Sequence, residues 1–156
     1  MIGAATPSAA PPTAYAPFWR RAVAALLDQI QLMIILLVVL FSALPLGLVD
    51  PTAISGEAAL ERALGDPIRL LSLIVPWLYF TLFEAGPWQA TPGKRLLGLV
   101  VTDLAGERIG WGRANLRFFG KILSGALLLL GYLLAAVTPR RQALHDLLAK
   151  TLVLRR

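Results

Sequence analysis

Cysteine is absent from the 156 residues, and histidine occurs once, at His145. Without cysteine there are no disulfides, no thiolate nucleophile and no Cys-ligated zinc. A lone histidine among scattered carboxylates matches no metal-ligand spacing, so neither a metal nor a cofactor is expected. Acid is also scarce, with 9 Asp and Glu against 15 Lys and Arg and a net charge of +6. No basic stretch is interleaved with a soluble fold that would present it to a polyanion, so nucleic acid is not an expected partner. Ser124 lies in an apolar run with no histidine placed to activate it, and the chain is not expected to be an enzyme. Residues 1–17, "MIGAATPSAAPPTAYAP", contain no Lys or Arg. They lack the basic start of a signal peptide and read as a disordered Ala/Pro-rich tail, leaving 18–156 as one domain.

What the chain has in abundance is apolar side chains. They make up 57% of it, with a mean hydropathy of +0.69, against about 45–50% in soluble domains. The class is integral membrane protein, with the lipid bilayer as its first partner, and positive-inside loops account for the excess of Lys and Arg. A first span runs from Phe18 to about Leu44, opened by Phe18, Trp19, Arg20 and Arg21 at headgroup level and stopped by Pro45 and Gly47. A connector over 50–66 is the one acidic stretch, and its "GEAALERAL" has the pattern of a short amphipathic helix. A second span, Ile68 to about Phe83, carries Pro76, where a kink is expected, and closes at Glu84 before Gly86 and Pro87.

The periodicity changes after Thr91. "KRLLGLVVTDLAGERIGW" reads as a β-hairpin outside the membrane, with Ala105 and Gly106 at its turn. Gly93 and Lys94 do not form a phosphate loop, because Trp88 and Arg95 stand where Gly and Ser or Thr are required. A third apolar segment covers Ala114 to Val137. Arg117 and Lys121, four apart, make its first turns amphipathic and interfacial, and Ser124 with Gly125 offers a place to bend. A short helix around His145 and Asp146 and a strand "TLVL" follow, the strand expected to pair with "LGLVV" near Leu99.

Basic residues crowd the N-terminus, the second loop and the tail, so all three ask to be cytoplasmic. Three complete spans would put the tail outside. Either the third segment is broken and re-entrant, or the tail breaks the charge rule, and the charge bias favours the broken segment. The expected fold is mainly α and integral to the membrane, with two to three transmembrane segments and a small cytoplasmic β element.

Charge inside the apolar runs singles out the candidate site. Arg21 and Asp28 are seven residues apart, on one helical stripe and about 10 Å apart along the axis. A carboxylate in hydrocarbon costs at least about 2.5 kcal/mol and needs a protein partner or a water-filled cavity. The small Ala24 and Ala25 let another element approach that stripe. Asp146 joins them as a third charge, with Glu84 and His145 as secondary candidates. His145 titrates in the physiological range when unperturbed, but its position favours a helix surface.

"RAVAALLD", "WQATPGKRLLGLVVTDLAGERIGWGRA" and "QALHDLLAKTLVL" together resemble the RDD family of bacterial membrane proteins, named for one arginine and two aspartates. The resemblance covers roughly Phe18 to Leu154, with Arg21, Ala24 and Asp28 on the opening motif and His145 and Asp146 on the closing pair. Family members typically carry Gly before the final strand, where this chain has Lys150. The resemblance implies a multi-pass protein of the bacterial inner membrane, and the charge bias gives it a cytoplasmic N-terminus. It also implies cation transport, including exchange of sodium or related cations for protons. Physical chemistry permits this, since a buried carboxylate can load a proton or a monovalent cation. Two or three spans enclose little pathway, so a homo-oligomer or other membrane proteins are expected as partners. The competing expectation is a non-transporting membrane adaptor or assembly factor in which Arg21, Asp28 and Asp146 form one structural cluster.

Overall fold

A computed structural model of the chain describes residues 15–43, 45–47, 65–127 and 130–156, with only the backbone described over 65–69. The acidic connector, with Asp50, Glu57 and Glu61, falls almost wholly outside them. Helix α1 (Phe18–Ala43) buries Ala24, Asp28 and Leu32 at four-residue spacing, one stripe of a regular helix. Its other faces expose apolar side chains, with Leu26 61%, Val38 59% and Phe41 65% accessible. Soluble monomers rarely expose so long an apolar surface. By length and composition α1 is able to cross a membrane. Its 26 residues extend about 39 Å, more than the roughly 30 Å of hydrocarbon in a bilayer.

Helix α2 (Gly65–Ala85) runs through Pro76 as one element. After it, Thr91 leads into the single turn α3 (Pro92–Leu96), with Pro at the first position, where its missing N–H is no loss. Gly93 is there for space. A Cβ on it would lie 2.5 Å from the Ala24 carbonyl oxygen and 2.7 Å from Asp28 Oδ1, so only glycine lets α3 settle on α1.

Strand β1 (Leu99–Asp103) pairs antiparallel with β2 (Thr151–Arg155), Leu99 facing Arg155 and Val101 facing Val153. The expected "TLVL"–"LGLVV" pairing is therefore present. The expected hairpin after β1 shrinks to one bridge, Thr102 to Arg108, closed by a turn in which the Asp103 carboxylate accepts the N–H groups of Ala105 and Glu107. The main partner of β1 comes from the far end of the chain. Tyr15 bridges Leu154, and the Ala16 N–H donates to the Val153 carbonyl at 2.9 Å. The end of the segment expected to be a disordered tail thus lies against β2 through one isolated bridge and one further backbone hydrogen bond. Ala16, Leu99, Val101, Ile109 and Val153 close a small apolar core there, against Ala24, Ala85 and Ala114.

Helices α4 (Trp111–Ala126) and α5 (Leu130–Val137) meet at 105°, so the third apolar segment is broken. The break falls one turn later than Ser124 and Gly125. Ser124 stays helical and buried, its hydroxyl donating to the Gly120 carbonyl at 2.7 Å, and it packs where a Cβ on Gly131 would come within 2.7 Å. The return of the chain through α5 brings α6 (Leu144–Ala149) against α4 and β2 back to β1. Lys150, between α6 and β2, is left-handed at φ 52°.

Candidate functional site

Each helix that contributes to the polar centre does so for a local reason. Glu84 sits on the last turn of α2 and is fully buried. It accepts from Lys94 of α3, from Arg117 Nε of α4 at 2.9 Å and from Lys121 Nζ, one turn on, at 2.9 Å. The spacing that made Arg117 and Lys121 look interfacial instead turns both inward, because Glu84 faces that stripe. Arg117 is wholly buried. Its Nη1 reaches Asp146 Oδ1 and Thr151 Oγ1 on the other side, so one guanidinium bridges two carboxylates.

Asp146, in the first turn of α6, also caps its own helix, with Oδ2 accepting the Ala143 N–H at 3.0 Å. The same oxygen pairs with Arg21 Nη2. Arg21 is steadied by the Arg141 carbonyl, which a left-handed Arg141 at φ 50° turns toward it. Burial disfavours ionisation of Asp146, but Arg117, Arg21 and His145 outweigh it and hold the carboxyl well below the usual carboxylate range. In all, Arg21, Lys94, Arg117 and Lys121 face Glu84 and Asp146. Four basic side chains meet two carboxylates.

His145 is buried, contrary to the expected surface position. Its Cβ occupies the space that a Cβ on Gly120 would need, at 2.9 Å, and its ring lies 5.3 Å from that of Tyr132. Burial pushes its pKa down to about 3, with Arg117, Lys121 and Arg21 adding to the effect and Asp146 opposing it. Burial therefore favours the neutral imidazole at physiological pH.

Asp28 stands apart. Arg21, expected beside it, turns to Asp146 instead, and among the described residues no Lys or Arg pairs with Asp28. The separation has a cause: the face of α1 that carries Asp28 is covered by α3 and Tyr79, which supply neutral donors. Fully buried, Asp28 accepts from Thr91 Oγ1 at 2.6 Å, from the Gly93 N–H at 2.8 Å and from the Tyr79 hydroxyl at 2.9 Å. The same hydroxyl lies 2.9 Å from Gln31 Oε1. The expected single cluster is therefore two sites. Arg21 and Asp146 meet, and Glu84 enters through Arg117. Sequence reasoning missed Arg117, Lys94, Lys121, Tyr79 and Thr91. A carboxylate ending one apolar run and a cation pair four apart opening another was the available signal.

The family model of the RDD family matches residues 15–150, nearly the whole chain. The chain belongs to the RDD family. This RDD protein is similar to the uncharacterized protein YxaI of Bacillus subtilis (strain 168), at 28% identity over 151 residues, 88% of this chain and 95% of the relative. No solved structure matches it. In this member the arginine of the opening motif and the aspartate of the closing pair make the ion pair, while the other aspartate holds the chain after α2.

Proposed function

We propose that this RDD protein is a multi-pass protein of the bacterial inner membrane with a cytoplasmic N-terminus, and that Asp28 is the site at which a proton exchanges with a monovalent cation. In this reading α1 and α2 span the bilayer, and α4 with α5 enters and returns. The Arg21, Arg117, Glu84 and Asp146 network then serves as the structural lock, because each of its carboxylates is already saturated with cations.

The observation that carries the proposal is a fully buried carboxylate held by neutral donors alone: Asp28 accepts from Thr91 Oγ1 at 2.6 Å, the Gly93 N–H at 2.8 Å and the Tyr79 hydroxyl at 2.9 Å, and no Lys or Arg among the described residues pairs with it. A proton on Asp28 removes the uncompensated charge, and the carboxyl then donates to the Tyr79 hydroxyl. When that proton leaves, Tyr79 turns back to the carboxylate, and the oxygens of Asp28, Tyr79 and Thr91 suit a hard monovalent cation. Gln31 is exposed on α1 and marks the open side. Exchange is tested with the purified protein in proteoliposomes loaded with a pH-reporting dye. A sodium or potassium gradient should move protons in the opposite sense, above protein-free vesicles. No proton movement under either gradient would refute the proposal.

A second reading, a non-transporting membrane adaptor, is favoured by one feature: the Gly93 N–H and the Thr91 hydroxyl also tie α3 to α1 through Asp28. A protein that carries no flux, but loses its folded yield on Asp28→Asn, would support it.

A further inference from the structure

The second charged feature of α3 points away from the ionic network. Lys94 turns inward to Glu84, while its neighbour Arg95 is exposed and lays its guanidinium 4.1 Å from the centre of the Trp88 ring. Among the described residues, Arg95 forms no ion pair with a carboxylate. Beside it lies a hollow of about 320 Å³, to which Trp88, Arg95, Gly98 and Arg156 contribute, with no Asp or Glu in its lining. That is the lower end of the range for small-molecule sites. A second hollow of about 180 Å³, against Leu82 and Phe83, shares Pro87 and Trp88 with the first.

The two differ in chemistry in the way the two ends of an amphiphile differ. One is bordered by the Arg95 guanidinium and by Arg156, whose main-chain N–H donates to the Gly98 carbonyl at 2.8 Å, and the other is walled by Leu82, Phe83 and Pro87. Trp88 divides them, and its position is fixed, with Phe83 stacked at 5.5 Å and Arg95 against the ring. Tryptophan at such a junction is the usual occupant of the headgroup level. Leu82, on α2, and Leu96, beside Arg95, are 48% and 77% exposed, an apolar rim on the side where α2 would leave the bilayer.

From this geometry we infer a binding site for one anionic phospholipid, its phosphate between Arg95 and Arg156 and one acyl chain along Leu82 and Phe83. The inference rests on the multi-pass reading above and on none of its transport chemistry. Basic pockets on the cytoplasmic side of transmembrane helices suit anionic headgroups, and arginine matches the phosphate fork.

The test is native mass spectrometry of the detergent-purified chain, incubated with equal amounts of dioleoyl phosphatidylglycerol and dioleoyl phosphatidylcholine. The parent should retain phosphatidylglycerol in preference, by about fivefold for each arginine engaged. Arg95→Ala with Arg156→Ala should abolish the preference, Arg95→Lys should keep most of it, and Arg95→Gln with Arg156→Gln serves if the alanine pair misfolds. Equal retention by the parent, or a preference that survives in both double variants, overturns the site. Displacement of the lipid by millimolar glycerol 3-phosphate or inorganic phosphate overturns it too, since a soluble anion would then be the ligand. Carbonate extraction of the membranes separates this failure from that of the multi-pass reading. A chain released by carbonate overturns both, whereas a resistant chain with no lipid preference overturns the lipid site alone.

Discussion

Glu84→Gln removes one negative charge from a centre in which four basic side chains already face two carboxylates. Lys94, Arg117 and Lys121 all converge on Glu84, and the glutamine leaves Asp146 as their one remaining counter-charge beside Arg21. Taking one partner from a buried ion pair costs about 3 to 5 kcal/mol, because the charges left behind are desolvated and uncompensated. For a chain of this length that lowers the melting midpoint by on the order of 10 °C. Trp77 provides the assay. Its indole N–H donates to Asn115 across α2 and α4 at 2.6 Å, so with Trp19, Trp88 and Trp111 replaced by Phe, tryptophan emission during heating in detergent reports separation of the two helices that Glu84 joins. If the penalty is unbalanced positive charge, removing one cation must relieve it. Glu84→Gln with Lys121→Met should melt above Glu84→Gln alone, a coupling of about 1 to 2 kcal/mol. Strictly additive losses, or a Glu84→Gln protein that melts with the parent, would refute the charge-balance reasoning.

Three further outcomes follow from individual residues. His145 has a folded pKa near 3 against an ordinary value of 6.5, so the unfolded chain binds the extra proton. Stability is then greatest above pH 6.5 and falls with acidification, by about 2 kcal/mol between pH 6.5 and 5, a window above the titration of Asp146. Thermal melts against pH should show this slope, and His145→Gln should flatten it. Lys150 is left-handed at φ 52°, a conformation glycine adopts without strain, so Lys150→Gly should raise stability by about 0.5 to 1 kcal/mol, read as a higher melting temperature. In a chain without native cysteine, single cysteines at Glu107 and Arg155 should both label from the same face of sealed vesicles, because β1 and β2 are paired.

Long-period features were legible in the sequence and local pairings were not. The apolar run after Gln29, the strand at Thr151 and the short helix at His145 all carry their own pattern. The broken third segment was legible indirectly, because with three full spans the positive-inside rule would be violated by Arg140, Arg141, Arg155 and Arg156. The choice of partner for Arg21 was hidden. Arg21 and Asp28 share a stripe of α1, but the elements covering it come from 65 and 125 residues away, Gly93 taking Asp28 and Asp146 taking Arg21. His145 was misjudged because its burial depends on Gly120, a small residue on another helix, and helix periodicity carries no trace of that contact.

The most direct test of the account is proton flux through Asp28→Asn in proteoliposomes, beside the parent and after both have been melted. The asparagine keeps Oδ1 for the Gly93 N–H, and its amide N–H can donate to Thr91 Oγ1 where Oδ2 had accepted, so the variant should stay folded while losing the one group at that site able to release a proton. Cation-driven proton movement is expected in the parent and none in a folded Asp28→Asn protein. A folded Asp28→Asn protein that exchanges at the parental rate would contradict it.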